Sequence, residues 1–163
     1  ISSLCYLQSS KNIDNIKCLI IGEGPEKVSL QQEIESKKLN DKIILTGFKT
    51  DVISYINALD IFLLTSEREG FSRVLIEAML MGKPVIASKI VGPSELVLEN
   101  ETGFLFKTGD IAQLSENILK LVSSHEMRNM MGEAGKKRVI NNFSIEKYVS
   151  EVSAVFSELT ASS

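Results

Sequence analysis

Five strand-length apolar runs set the terms on which this chain can fold: Cys18 to Ile21, Ile43 to Thr46, Ile61 to Thr65, Pro84 to Ala87 and Gly103 to Phe106. Helix-length amphipathic runs separate them. Such alternation is the pattern of βαβ units, in which crossover helices bury parallel strands on both faces. The class it predicts is α/β, a parallel sheet sandwiched by helices.

End signals place the helices. Pro25 sits at the first turn expected for a helix over Glu26 to Leu39, and Asp51 is a good capping residue for Asp51 to Ala58. Ser72 to Met81 is almost continuously apolar, opens on a capping-type serine and stops at Gly82 and Pro84, which predicts a buried helix. After Phe106 the pattern is helical over Ile111 to Ser123, His125 to Val139 and Ile145 to Leu159, with Thr160 to Ser163 a frayed tail.

With 163 residues, 44% hydrophobic and 24% charged, the chain has the balance of one globular domain. A formal net charge of −3, with Lys and Arg scattered among acids, gives no basic field for nucleic acid. Cys5 and Cys18 make neither a C-x-x-C nor a disulfide framework, which suits a reducing cytoplasm. No apolar run approaches the roughly 20 residues of a membrane span. The opening from Ile1 reads as the end of a helix, so a fragment of a longer protein is expected.

The stretch TSEREGFSRVLIEAMLMGKPVIAS, from Thr65, passes from the carboxyl end of a strand directly into the apolar helix. Open α/β sheets bind ligands at that place. Backbone N–H groups of about Phe71 to Val74 lack intrahelical partners there, and the helix dipole favours an anion such as a diphosphate. Gly70 lets the main chain approach a ligand with no Cβ in the way. Glu77 lies among Val74, Leu75, Ile76, Ala78, Met79 and Leu80, where a buried unpaired carboxylate is costly. It can pair with a cation, reach solvent, or face the cleft and accept hydrogen bonds from both ribose hydroxyls. Glu69 is either a surface acid of the charged run Glu67, Arg68, Glu69 or a site residue.

Glu69 and Glu77, with Gly70 and Phe71 after the first, resemble the E-x7-E motif of group 1 (family 4) retaining glycosyltransferases. GEGPE, ILTGF, EAMLMGKPVIAS and VGPSELVLENETGFLF extend the resemblance to nearly the whole chain. It implies the Rossmann-like C-terminal half of the GT-B architecture, which binds a nucleoside diphosphate sugar and transfers the sugar with retention to an acceptor hydroxyl. UDP- and GDP-sugars are the donors it suggests, with no obligatory metal, in polysaccharide, lipopolysaccharide or glycolipid synthesis.

By the same resemblance Glu69 falls at the transfer centre and Glu77 on the ribose. Amides of Phe71, Ser72, Arg73 and Val74 fall on sugar and pyrophosphate. Phe48 and Lys49 would lie near the base, or else form an ordinary βα loop, and Gly22 makes a tight turn near the nucleoside. Arg73 stands where the family carries smaller residues, and either reaches phosphate or faces solvent. The family's basic pair on the diphosphate and an interior first strand would precede Ile1, and a saccharide or lipid-linked acceptor would be held by an N-terminal domain. The full enzyme would be cytoplasmic, with peripheral contact at the inner face of a membrane.

Other residues carry plainer expectations. His125 is the sole histidine and reads as a surface residue, and no metal or Ser-His-Asp constellation is evident. Met79, Met81, Met127, Met130 and Met131 are spaced as helix-core residues. Lys136, Lys137 and Arg138 read as a solvated helix face or a modest membrane patch. A sugar-nucleotide epimerase or phosphorylase of related architecture, or a non-catalytic α/β interaction module, are the alternative functions.

Overall fold

The structure, a computed structural model, describes residues 1–144 other than Asn12 and Asp14, together with 147, 149, 150, 152–154 and 157. The helix expected over Ile145 to Leu159 and the tail after it lie largely outside the described residues. In chain order the elements are α1 (Ser2–Lys11), β1 (Cys18–Ile21), α2 (Lys27–Ser36), β2 (Ile43–Gly47), α3 (Val52–Ala58) and β3 (Phe62–Leu64). There follow α4 (Arg73–Leu80), β4 (Val85–Ser88), α5 (Val91–Leu96), β5 (Gly103–Phe106), α6 (Ile111–Ser123) and α7 (His125–Asn142).

All five predicted strands are present, and every pairing is parallel. The expected single sheet is hydrogen-bonded as two sets, β1 with β2 and β3 with β4 with β5. Pairing partners are distant in sequence, so the chain's local pattern could place the strands without fixing that division.

Side chains alternate across a strand, and the core follows from this. On β4, Val85 and Ala87 point to a cluster with Leu75, Ala78 and Met79 of α4, Ile56 of α3, Leu96 of α5 and Val139 of α7. Ile86, between them, joins Phe104 and Phe106 of β5, Leu7 of α1, Ile118 and Leu121 of α6 and Met131 of α7 on the other face. All four residues of β4 and of β5 are buried, as expected for strands covered from both sides. A third cluster sets Ile34 of α2 and Ile43 of β2 against Ile1, Leu4 and Cys5, so α1 serves both strand sets.

Three expectations are corrected. Ser72 to Met81 is not a wholly buried helix: Leu75, Ala78 and Met79 are buried, whereas Val74, Ile76, Glu77 and Leu80 are half-buried. Of the methionines expected in the core, Met81 and Met130 are exposed because they fall on the outer sides of their helices. Arg138 is not part of a solvated basic face, since its guanidinium donates to the carbonyls of Leu96 and Glu95 at 2.8 Å each, leaving Lys136 and Lys137 exposed. His125 is exposed, as expected, and opens α7. Among the described residues no helix is long and apolar enough to cross a membrane.

Candidate functional site

Because β3 and β4 run parallel, in register from Phe62 opposite Val85 to Leu64 opposite Ala87, their following loops leave the same edge. The Ser88 hydroxyl donates to the Leu64 carbonyl at 3.4 Å and ties the two carboxyl ends together. Between those loops lies an open cleft of about 620 Å³, lined by Glu67, Arg68, Glu69 and Gly70 from one side and Ile90 and Val91 from the other. Glu69 is half-buried there, and Val91 is exposed at its rim.

Immediately past the cleft, α4 begins. Ile76 is the first residue of its opening turn whose N–H donates, to the Ser72 carbonyl at 3.2 Å. The N–H groups of Arg73, Val74 and Leu75 have no acceptor among the described residues, and their partial charge makes the spot receptive to an anion. Ser72 is the N-cap residue in extended conformation, yet its hydroxyl makes no capping bond; it is buried and without a partner among the described residues. Arg73 is exposed and has no ion-pair partner among the described residues. Phe71 packs its ring 6.3 Å from that of Phe143, at the end of α7.

Glu77 was expected to be a buried carboxylate. It is half-buried instead, on the open stripe of α4 that also carries Arg73 and Met81, one turn apart each. No ion pair joins it to Arg73 despite the i,i+4 spacing, and no other described residue bonds its carboxylate. Among the described residues, neither a cationic side chain nor a hydrogen-bond donor pairs with this group. It does not line the cleft.

A second group of predicted residues gathers at the carboxyl ends of β1 and β2. The Gly22 N–H donates to the Gly47 carbonyl at 3.0 Å, and Gly22 has φ +131°, a conformation open to glycine alone without strain. Phe48 is 69% exposed, and the Lys49 ammonium sits 5.6 Å from the centre of the Tyr55 ring. Like the cleft, this group lies at the carboxyl ends of a parallel strand pair, but no described contact joins the two groups. Among the described residues no three of His, Cys, Asp and Glu gather closely enough to hold a metal ion.

Sequence reasoning missed the opposite wall. Ile90, Val91 and the helix α5 behind them had no assigned role, although the strand-then-Gly-Pro sequence IVGP after Ser88 marked a second loop at the same sheet edge.

A parallel α/β domain with helix N–H groups at the carboxyl edge of its strands has the architecture in which open sheets hold ligands, anions among them. Comparison with known proteins specifies the class. Residues 5–138 match the family model for group 1 glycosyl transferases, and the chain belongs to that family. It is 34% identical over 146 residues to the capsular polysaccharide biosynthesis glycosyltransferase CapM of Staphylococcus aureus, covering 87% of this chain and 38% of that protein. The chain spans less than half the length of the curated relatives it matches.

Among solved structures, the C-terminal domain of a group 1 family glycosyl transferase from Francisella tularensis superposes with a TM-score of 0.77 at 27% identity. That match covers 88% of this chain and 76% of the other. A mutant TarM of S. aureus, in complex with fondaparinux, alpha-GlcNAc-glycerol and UDP, gives a TM-score of 0.82 at 27% identity over 91% of this chain and 31% of that one. The fold is thus the C-terminal half of a GT-B glycosyltransferase, as the motifs implied.

Proposed function

We propose that this chain is the donor-binding domain of a retaining glycosyltransferase, holding a nucleoside diphosphate sugar while its sugar moves to an acceptor hydroxyl held by a partner domain. The observation that carries the reading is the cleft at the carboxyl ends of β3 and β4, where Glu69 and Gly70 precede the open N–H groups of α4. In this reading the diphosphate lies against the amides of Phe71 to Val74. As the glycosidic bond breaks, negative charge builds on the β-phosphate, and fixed N–H dipoles stabilise that charge more than they stabilise the bound donor.

Glu69 orients the donor sugar and supports the positive charge that develops on it. Glu77, without a partner among the described residues, accepts from the ribose hydroxyls, and Phe48, Lys49 and Gly22 border the nucleoside. The UDP bound to the related TarM structure favours a uridine donor over guanosine. The capsular polysaccharide relative favours a role in polysaccharide synthesis, with a saccharide or lipid-linked acceptor held by the partner domain.

The test is calorimetric titration of the intact protein with UDP and GDP, followed by product analysis with the matching donor sugars. Glu77→Ala is expected to weaken donor binding by about 2–3 kcal/mol, roughly 30- to 150-fold. Glu69→Ala is expected to bind donor but lose turnover. Unchanged affinity in the first variant removes the ribose role, and normal turnover in the second removes the catalytic one.

A further inference from the structure

Gly92, in the first turn of α5, is buried with its Cα against the backbone of the opposite wall of the cleft. A Cβ placed there would overlap the Gly70 carbonyl oxygen and stand 2.7 Å from its carbonyl carbon and 3.2 Å from the Glu69 carbonyl oxygen. What would be struck is main chain on each count, so no side-chain rotation could relieve the overlap. One of the two loops would have to move.

The far end of α5 is held independently. Arg138 donates from Nε to the Leu96 carbonyl and from Nη2 to the Glu95 carbonyl, each at 2.8 Å. Those are last-turn carbonyls, left without partners inside the helix. The same guanidinium lies 5.5 Å from the centre of the Phe143 ring, and Phe143 packs on Phe71, next to Gly70. One end of α7 thus grips both α5 and the loop that α5 backs, so the gap between the walls is fixed from two directions.

We propose that Gly92 is a positioning residue for the transfer site: its bare Cα sets where the Glu69–Gly70 backbone stands, and Arg138 with Phe143 holds α5 in that register. The inference rests on the donor-binding reading above. A shift of the loop by about 1 Å displaces Glu69 from the reacting sugar, and misplacement on that scale can cost up to about 100-fold in rate. Nucleoside contacts, made elsewhere, should be spared.

The experiment compares wild type, Gly92→Ala and Arg138→Lys in the intact protein, measuring turnover of the donor sugar, UDP affinity and thermal unfolding. Gly92→Ala is expected to lower kcat about 10- to 100-fold with UDP affinity within about threefold of wild type. Arg138→Lys keeps the charge but loses the fork that reaches two carbonyls, and should give a smaller fall of the same kind. Folded Gly92→Ala with wild-type kcat overturns the inference, as does UDP affinity falling in step with turnover. If Gly92→Ala does not fold, Arg138→Lys decides by the same split. A wild type that neither binds nor turns over any nucleoside diphosphate sugar sinks the donor-binding reading and this inference together, whereas an active wild type with equally active variants sinks the inference alone.

Discussion

Gly70 and Gly92 meet across the cleft, but the fold demands only one of them. A Cβ at Gly92 collides with main chain, whereas a Cβ at Gly70 meets nothing within 4 Å, and its φ lies outside the left-handed region. In the donor-binding reading, the bare Cα of Gly70 leaves room for the ligand. Gly70→Ala should therefore leave the fold as stable as before or stabler by about 0.4–1 kcal/mol, because alanine restricts the unfolded chain. Donor affinity should fall by about tenfold as the methyl enters the ligand's space. Thermal unfolding beside calorimetry with UDP-sugar reads both, and a variant unchanged in affinity would return Gly70 to the role of ordinary loop residue. Residue types made Gly70 and the start of α4 legible in the sequence, whereas Glu69 stood open between surface and site until the motif resemblance placed it. They did not show that Glu77 is half-buried, because a run of apolar neighbours conceals which of them face inward until the helix has something to pack against.

Element ends were legible where a side chain caps them. Asp51 accepts from the Ser54 N–H at 3.2 Å and opens α3, Asp110 does the same for Gln113 at the start of α6, and both helices begin where the sequence put them. By contrast α5 went unread, since Gly92 and Pro93 look like breakers although proline is tolerated in a first turn. Helix α2 stops at Ser36, short of the predicted Leu39, which the turn through Lys38 at φ 55° delivers into the core. The α3 cap also titrates. Hydrogen bonds from the Ser54 hydroxyl and N–H hold the Asp51 carboxyl below its ordinary range, outweighing a small opposing effect of burial. A carboxylate so depressed contributes stability that is complete above its unfolded pKa and is lost as pH falls through the folded one. Asp51→Asn keeps a capping oxygen but cannot titrate. Between neutral pH and about pH 3 the Tm advantage of wild type over Asp51→Asn should shrink; an advantage that stays constant would mean the cap does not depend on charge.

At the scale of the whole molecule, the division into two strand sets makes α1 more than an opening helix. Leu7, 1% exposed, packs into the cluster of β4, β5, α6 and α7, while Ile1, Leu4 and Cys5 pack with β1, β2 and α2. The β1–β2 pair carries the residues proposed to border the nucleoside, and β3 with β4 carries the proposed transfer centre, so in that reading α1 helps to keep two parts of one donor site on a common base. Leu7→Ala should cost about 2–5 kcal/mol, as for other large-to-small changes in a close-packed core. Its distribution matters more than its size. The set β3–β4–β5 keeps α4, α6 and α7 against it when α1 loosens, whereas β1 and β2 keep only α2 from the third cluster. Amide hydrogen exchange in the variant should therefore speed up first in β1 and β2, by local opening rather than global unfolding, with β4 and β5 still protected. UDP affinity should fall along with it while the cleft around Glu69 stays formed. Exchange that rises equally in all five strands would show that the two sets unfold as one unit and that α1 does not join them.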